Sequence, residues 1–200
     1  MENKPKKICF VGGPSTGKTT LAKALAMELA KKNYSAEIVD EFARDFIANK
    51  GQINKPVAQL VIARGQKERE ALAYGRNPEF IICDCATFLC PVYFHFLNDG
   101  IIDQNEAEAL EKIEDELWRE IGDEISTYDF VFFLPVEFTP EQDGVRLYTD
   151  QIENISNRIK EFLNSHNIKH YELRGSVQDR TNKALRVIFG VSETAPTLPR

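Results

Sequence analysis

Residues 12–20 read GGPSTGKTT and contain the pattern GxxxxGK followed by a hydroxyl residue. A short apolar run, KICFVG at residues 7–12, precedes this stretch, and leucines recur at every fourth position over residues 21–29. A glycine-rich turn between a buried strand and an amphipathic helix is the context in which this pattern binds phosphate. The stretch therefore predicts a P-loop nucleotide-binding fold.

Each part of this motif has an expected role in holding ATP and Mg²⁺. The glycines let successive backbone N–H groups point at phosphate oxygens, and the start of the next helix adds its positive end. Lys18 is expected to reach the β- and γ-phosphates and to act in catalysis, and the Thr19 hydroxyl to ligate the metal. The predicted nucleotide site comprises Gly12, Gly13, Pro14, Ser15, Thr16, Gly17, Lys18, Thr19 and Thr20.

Apolar runs and amphipathic stretches alternate along the rest of the chain, which predicts a three-layer α/β sandwich around a five-stranded parallel sheet. The predicted strands are 7–12, 36–40, 80–84, 130–134 and 168–173. The predicted helices are 18–32, 41–49, 57–74, 103–121, 148–164 and 177–189. No repeat or linker divides the chain, so we expect one domain over residues 1–190 and a loose tail over 191–200.

Composition argues against a nucleic-acid-binding, membrane or secreted protein. The chain has 200 residues and a net charge of −6, and this acidic balance makes binding to nucleic-acid backbones unfavourable. No apolar run approaches the roughly 18 residues of a membrane helix, and the first one is too short for a signal peptide. The four cysteines form no CxxC pair, which is typical of reduced thiols. We therefore expect a cytoplasmic protein with no membrane partner.

Charged residues follow two of the predicted strands, at the edge where a parallel sheet binds its ligands. Asp84 ends the third strand and is the candidate carboxylate for Mg²⁺, together with Thr19. Asp40 and Glu41 end the second strand, and Arg44 lies one turn further on. A carboxylate there can accept the proton of a substrate hydroxyl, and an arginine can bind substrate or phosphate. We assign Asp40, Glu41 and Arg44 to substrate binding and Glu41 also to catalysis.

The segment after the fourth strand predicts a loop in the place where a lid would lie. It contains Asp143-Gly-Val-Arg146, and an arginine above the γ-phosphate stabilises the charge of phosphoryl transfer. Arg146 is therefore the third predicted catalytic residue. Arg158 is a second candidate, although its position in an amphipathic helix favours a solvated face.

With these residues in place, the chain resembles the nicotinamide-riboside-kinase-like P-loop family and related small AAA-type ATPases. The resemblance rests on GGPSTGKTT, Glu41-Phe-Ala-Arg44, Gly65-Gln66, IICD ending at Asp84, and Tyr128-Asp-Phe with Asp143-Gly-Val-Arg146. It implies a sheet ordered 2-3-1-4-5, which brings Asp84 next to Thr19. It also implies transfer of a phosphoryl group from ATP to a nucleoside-like hydroxyl.

One position departs from the family pattern. Riboside kinases of this family carry a second acid two residues after the Walker-type aspartate, where this chain has Ala86. If that acid holds the ribose, then the substrate differs or is held by Asp40 or Glu41. The function predicted is an ATP·Mg²⁺-dependent phosphotransferase acting on a small nucleoside-like metabolite, with nicotinamide riboside as one candidate. The alternatives are another nucleoside, nucleotide or vitamin kinase, and a nucleotide-binding switch without small-molecule transfer.

Overall fold

The apolar runs predicted as strands pair into one parallel sheet. The structure is a computed structural model, and it describes residues 4–51, 55–99, 104–137 and 151–191, without the side chains of 104–106. Within these ranges the strands are β1 (Lys6–Val11), β2 (Ala36–Val39), β3 (Phe80–Cys83), β4 (Phe130–Phe133) and β5 (Tyr171–Glu172). Their order is β2-β3-β1-β4-β5, with every neighbouring pair parallel. The predicted fold class and strand order are therefore confirmed.

Helices cover both faces of this sheet. Those in the described ranges are α1 (Lys18–Lys31), α2 (Phe42–Lys50), α3 (Ala58–Gly75), α4 (Cys90–Asn98), α5 (Gln104–Ile121), α6 (Glu124–Thr127), α7 (Ile152–Ser165) and α8 (Val177–Phe189). None of these helices is both long and apolar enough to cross a membrane.

The central strand β1 contributes to two hydrophobic cores because successive side chains point to opposite faces. Ile8 and Phe10 pack with α1 and α8 on one face, and Cys9 and Val11 pack with α3, α4 and α7 on the other. All four side chains have no exposed surface. Burial on both faces explains why this strand is almost continuously apolar, and it places the loop after Val11 at the middle of the sheet edge.

The structure adds elements that the sequence analysis did not assign. A short 3-10 helix (Thr87–Leu89) leads directly into α4, which has Pro91 in its first turn. Proline is favoured there because its ring fixes a helical φ. The final strand is also shorter than predicted, spanning Tyr171–Glu172 rather than 168–173. Residues 192–200 of the predicted tail lie outside the described residues.

Candidate functional site

The loop after β1 has the backbone geometry that a P-loop needs. Gly12 has a φ of 150°, and a Cβ atom there would lie 2.4 Å from the carbonyl oxygen of Leu134. Gly17 precedes the first residue of α1 with a left-handed φ of 89°. A residue with a side chain would be strained at both positions. The glycines therefore allow the loop to turn tightly beside β4 and enter the helix.

Two side chains of the loop stabilise it from within. The buried Thr16 hydroxyl donates to the Gly13 carbonyl at 2.9 Å. The Lys18 ammonium donates to the carbonyl oxygens of Gly12 and Gly13, at 3.0 and 2.9 Å. These contacts hold the positive charge of Lys18 over the loop, where the phosphates of a nucleotide would lie.

Thr19 and Asp84 meet at the edge of the sheet, as the strand order implies. The Thr19 hydroxyl donates to Oδ2 of Asp84 at 2.5 Å, and Asp84 is 1% exposed. Its other carboxylate oxygen, Oδ1, is buried without a hydrogen-bond donor among the described residues. An anionic oxygen in this situation is unfavourable unless a cation or donor meets it. The hydroxyl and the carboxylate fit the ligands that hold Mg²⁺ beside a P-loop, so Thr19 and Asp84 would hold this metal.

The described residues contain no cluster of three or more histidine, cysteine, aspartate or glutamate side chains arranged to bind a metal.

Arg44 lies beside the same threonine and forms an ion pair with Glu41. Glu41 is the residue before α2, and its carboxylate is 3.6 Å from the Arg44 guanidinium. Arg44 donates to the Thr19 hydroxyl oxygen at 3.2 Å. Burial raises the pKa of Glu41 above its ordinary value of 4.5; Lys18 lowers it, Asp84 raises it and Arg44 lowers it. This carboxylate is therefore a stronger base than one on the surface, and it is coupled to the charges at the P-loop.

These groups open into one pocket of about 550 Å³. On one side are the P-loop residues from Pro14 to Thr20, and on the other is a largely apolar chamber built from α2, α3, α4 and the segment after β3. The chamber is lined by Glu41, Ala43, Arg44, Ile47, Gln59, Ile62, Cys85, Ala86, Leu89, Cys90, Tyr93 and Leu97. Burial raises the pKa of Cys85 well above its ordinary value and that of Cys90 to about 12, so neither thiol is a ready nucleophile.

Comparison with known families identifies the kind of domain that carries this site. The model of one family, AAA_28, described as an AAA domain, matches residues 7–180. The chain belongs to this AAA-domain family. A search of curated proteins found no match.

Solved structures with the same fold include two complexes of NadR protein. The complex with NAD and AMP-PNP has a TM-score of 0.73 at 17% identity, over 98% of this chain and 52% of that chain. The complex with NR also has a TM-score of 0.73 at 17% identity, over 98% of this chain and 55% of that one. This AAA-family chain therefore spans about half the length of the NadR chains it matches.

Deoxyadenosine kinase from M. mycoides with bound dATP has a TM-score of 0.66 at 15% identity. That match covers 92% of this chain and 99% of the kinase. Together these likenesses show that the chain has the fold of P-loop kinases. The resemblance predicted from the sequence is confirmed at the level of family and fold.

The Gly65-Gln66 pair of this AAA-family chain packs against the first residue of α2, next to the chamber. A Cβ atom on Gly65 would lie 2.4 Å from the ring of Phe42, so glycine lets the first residue of α2 pack tightly against α3. The Gln66 side chain accepts a hydrogen bond from the Phe42 backbone N–H at 2.9 Å. This pair thus fixes the start of α2, immediately after Glu41.

A buried carboxylate, Glu70, joins Gln66 to Lys7 of β1 and to two further side chains near the sheet, Thr87 and Tyr128. It is 4% exposed and lies 2.5 Å from the Lys7 ammonium of β1. It accepts hydrogen bonds from Tyr128 at 2.9 and 3.1 Å, from Thr87 at 3.2 Å and from Gln66 at 3.5 Å. Burial lowers the pKa of Lys7, but the attraction and hydrogen bond to Glu70, together with the nearby Cys83 and Glu124, raise it above its ordinary value of 10.5. We name this set of side chains the Glu70 cluster.

Arg180 of α8 supports the P-loop from the opposite face of the sheet. It is 3% exposed, and it donates to the Thr16 carbonyl at 2.8 Å and to Glu137 at 2.6 Å. Its role was not predicted from the sequence. Its burial could have been recognised from helical spacing, because Arg180 lies four and eight residues before Ala184 and Ile188 on the buried face of α8.

The structure places the remaining predicted residues as follows. The Asp40 side chain is exposed and lies outside the pocket lining, whereas Glu41 lies inside it. Arg146 and the predicted lid loop lie outside the described residues, so their roles stay predictions. Arg158 forms an ion pair with Asp99 on the surface, as a solvated helix face predicts.

Proposed function

We propose that this protein is an ATP·Mg²⁺-dependent phosphotransferase that acts on a hydroxyl of a small nucleoside-like metabolite, with nicotinamide riboside as one candidate. The observation that carries the proposal is the continuity of the pocket. P-loop residues and a largely apolar chamber line the same cavity of about 550 Å³, a volume suited to a small organic ligand. A nucleotide-dependent switch would need no such chamber for a second small molecule.

At the nucleotide end, the P-loop backbone and Lys18 would bind the phosphates, and Thr19 and Asp84 would hold Mg²⁺. The metal would neutralise charge on the β- and γ-phosphates. Lys18 already lies over the loop through its bonds to Gly12 and Gly13. Arg180 holds the same loop through the Thr16 carbonyl, so the phosphate-binding N–H groups are organised in advance.

At the acceptor end, Glu41 would accept the proton of the attacking hydroxyl. The hydroxyl oxygen forms a bond to the γ-phosphorus, the bond from that phosphorus to the β–γ bridging oxygen breaks, and ADP leaves. The raised pKa of Glu41 suits a general base, and its position in the pocket lining suits contact with the acceptor. Arg44, which contacts both Glu41 and Thr19, lies where a cation can stabilise the transferring group.

The structural neighbours support this choice of substrate class. Their solved complexes hold AMP-PNP, NAD, NR or dATP, all of which are nucleotides or nucleosides. Ala86 lies in the pocket lining with no charged group to bind a ribose hydroxyl. We therefore assign that contact to Glu41, which lines the same chamber.

The test is a screen of nucleosides and vitamins for acceptor-dependent ADP release by the wild-type protein and Glu41→Gln. We expect one class of acceptor to raise ADP release sharply, and Glu41→Gln to lower that rate by about 10²–10⁴-fold with ATP affinity unchanged. Asp40→Asn is the matched comparison and should have a much smaller effect, because Asp40 is exposed outside the pocket. Slow hydrolysis that no acceptor stimulates would indicate a switch instead. Loss of ATP binding in Glu41→Gln would place this residue in the nucleotide site.

A further inference from the structure

Glu70, in the second half of α3, is a buried charge that the proposed chemistry does not use. It is 4% exposed and is not among the described residues that line the pocket. A buried carboxylate is strongly unfavourable unless cations and hydrogen-bond donors surround it. Three parts of the chain besides α3 supply such groups: β1 through Lys7, the 3-10 helix through Thr87, and the segment before β4 through Tyr128. Glu70 therefore joins four parts of the chain at one point.

An ionised carboxylate only accepts hydrogen bonds, so Glu70 determines which way its partners point. The Tyr128 hydroxyl donates its hydrogen to Glu70, and its oxygen accepts the backbone N–H of Thr87 at 3.1 Å. The Gln66 amide donates an N–H to Glu70, which leaves its oxygen to accept the Phe42 backbone N–H at 2.9 Å. Glu70 thus acts on two backbone N–H groups, each through one intermediate side chain.

These two backbone groups lie next to the two carboxylates of the candidate site. Phe42 is the first residue of α2 and directly follows Glu41, which lines the pocket. Thr87 begins the 3-10 helix three residues after Asp84, whose carboxylate accepts the hydrogen bond from Thr19. A single buried charge therefore anchors the backbone beside the proposed base and beside the proposed metal ligand.

Building on the proposed kinase function, we infer that Glu70 is a positioning residue, which sets where Glu41 and Asp84 lie in the site. It acts through Gln66 and Tyr128 and does not itself meet the pocket. A charged acceptor suits this role, because hydrogen bonds to an ionised group are shorter and stronger than those between neutral groups. Phosphoryl transfer depends on such placement, since a displacement of about 1 Å can cost about 10²-fold in rate. Loosening the connections to Glu70 should therefore slow transfer without removing a group that binds ATP.

Two substitutions of similar shape loosen these connections at different points. Gln66→Met removes the acceptor of the Phe42 N–H, and Tyr128→Phe removes a donor to Glu70 and the acceptor of the Thr87 N–H. Amide hydrogen exchange at Phe42 is measured by NMR on the whole chain. We expect exchange to become faster by about 2- to 10-fold in both variants, which is what one hydrogen bond contributes. The double variant should exchange no faster than Gln66→Met alone, because the Phe42 bond is already lost there.

Acceptor-dependent ADP release and calorimetric ATP binding give the second pair of readouts. We expect kcat for the acceptor to fall by about 10- to 10²-fold in each variant, because a small displacement of a catalytic group costs about that much. The Kd for ATP should stay within about twofold, since no group of the P-loop is changed. A loss of ATP affinity as large as the loss in kcat would overturn the positioning role.

Hydrogen exchange and ADP release separate this inference from the proposed kinase activity. Faster exchange at Phe42 in both variants supports the positioning role even if no acceptor stimulates ADP release, and that combination overturns the kinase assignment alone. Where an acceptor does stimulate release, unchanged rates in both variants overturn the positioning role and leave the kinase assignment standing. Faster exchange in Gln66→Met but not in Tyr128→Phe would show that Gln66 holds Phe42 without Glu70, and would also overturn the role.

Two further variants distinguish positioning from a general loss of stability. Ile188→Val trims the core on the other face of the sheet and should leave exchange at Phe42 and turnover within about twofold of wild type. Equal losses in Ile188→Val would assign them to stability and overturn the inference. Thr87→Val removes the hydroxyl that donates to Glu70 and replaces Tyr128→Phe if that variant does not fold. Loss of cooperative unfolding in both would make the Glu70 cluster a requirement of the fold and overturn the positioning role.

Discussion

Replacing Gly65 with alanine tests whether the packing behind α2 controls the chamber and, through it, the proposed transfer to an acceptor. The new Cβ atom would lie 2.4 Å from Cε2 and Cζ of Phe42, far inside van der Waals contact. Overpacking of this kind costs about 1–3 kcal/mol, whereas glycine to alanine inside a helix otherwise gains about 0.5–1 kcal/mol. The clash is the larger effect, so the free energy of unfolding should fall by about 1 kcal/mol.

The same substitution should lower acceptor turnover more than nucleotide binding. To escape the clash, the Phe42 ring must leave its place 4.9 Å from the Arg69 guanidinium, and it shifts the backbone next to Glu41 as it moves. A small displacement of a catalytic group commonly costs about 10–10²-fold in rate. We therefore expect kcat/KM for the acceptor to fall by about that factor, while the Kd for ATP stays within about twofold.

The assay combines chemical denaturation, calorimetric ATP binding and acceptor-dependent ADP release. Gly75→Ala is the matched control, because Gly75 ends the same helix and a Cβ atom there meets nothing within 4 Å. It should be neutral or add about 0.4–1 kcal/mol of stability. A Gly65→Ala protein as stable and as active as Gly75→Ala would refute the reasoning. Phe42→Leu in the Gly65→Ala background should restore part of both losses.

Three further predictions concern the charged groups of the site. Lys18→Ala should abolish ATP turnover and leave the circular dichroism spectrum unchanged, because the ammonium bonds loop carbonyls rather than the core; near-normal turnover would contradict the P-loop assignment. Asp84→Asn should lower the rate by more than about tenfold and raise the Mg²⁺ concentration needed for half-maximal rate; an unchanged Mg²⁺ titration would show that another group holds the metal. The Arg44 guanidinium lowers the pKa of Glu41, so Arg44→Gln should raise that pKa. Glu41 would then become protonated at a higher pH, and the acidic limb of the acceptor-dependent pH–rate profile should move to higher pH. Arg44→Lys keeps the charge and should leave most of that limb in place, and a limb that moves equally in both variants would assign it to another group.

The parts of the fold that follow from local patterns could be predicted from the sequence. The strand before the P-loop is apolar because both its faces are buried, and α1 shows leucines at helical spacing. By contrast, α4 has apolar residues on nearly every side, so it shows no clear helical period. The helix that forms one wall of the pocket was missed for this reason.

The candidate site was predictable where its residues follow strands, and less so where they depend on distant partners. Thr19 and Asp84 meet as the predicted strand order requires. The neighbouring acids Asp40 and Glu41 looked equivalent in sequence, and only the turn into α2 determines that Glu41 enters the pocket.

The Glu70 cluster also has a consequence for the order in which the chain folds. The contacts of Glu70 with Thr87 and Tyr128 close loops of 17 and 58 residues, and its partner Lys7 comes from the first strand. Until Lys7 arrives, a carboxylate buried at this place would be an uncompensated charge, which is strongly unfavourable. The cluster therefore cannot form around α3 and β3 alone. The chamber should take shape only after β1 has been inserted between β3 and β4, late on the folding pathway, when the long loops have already closed.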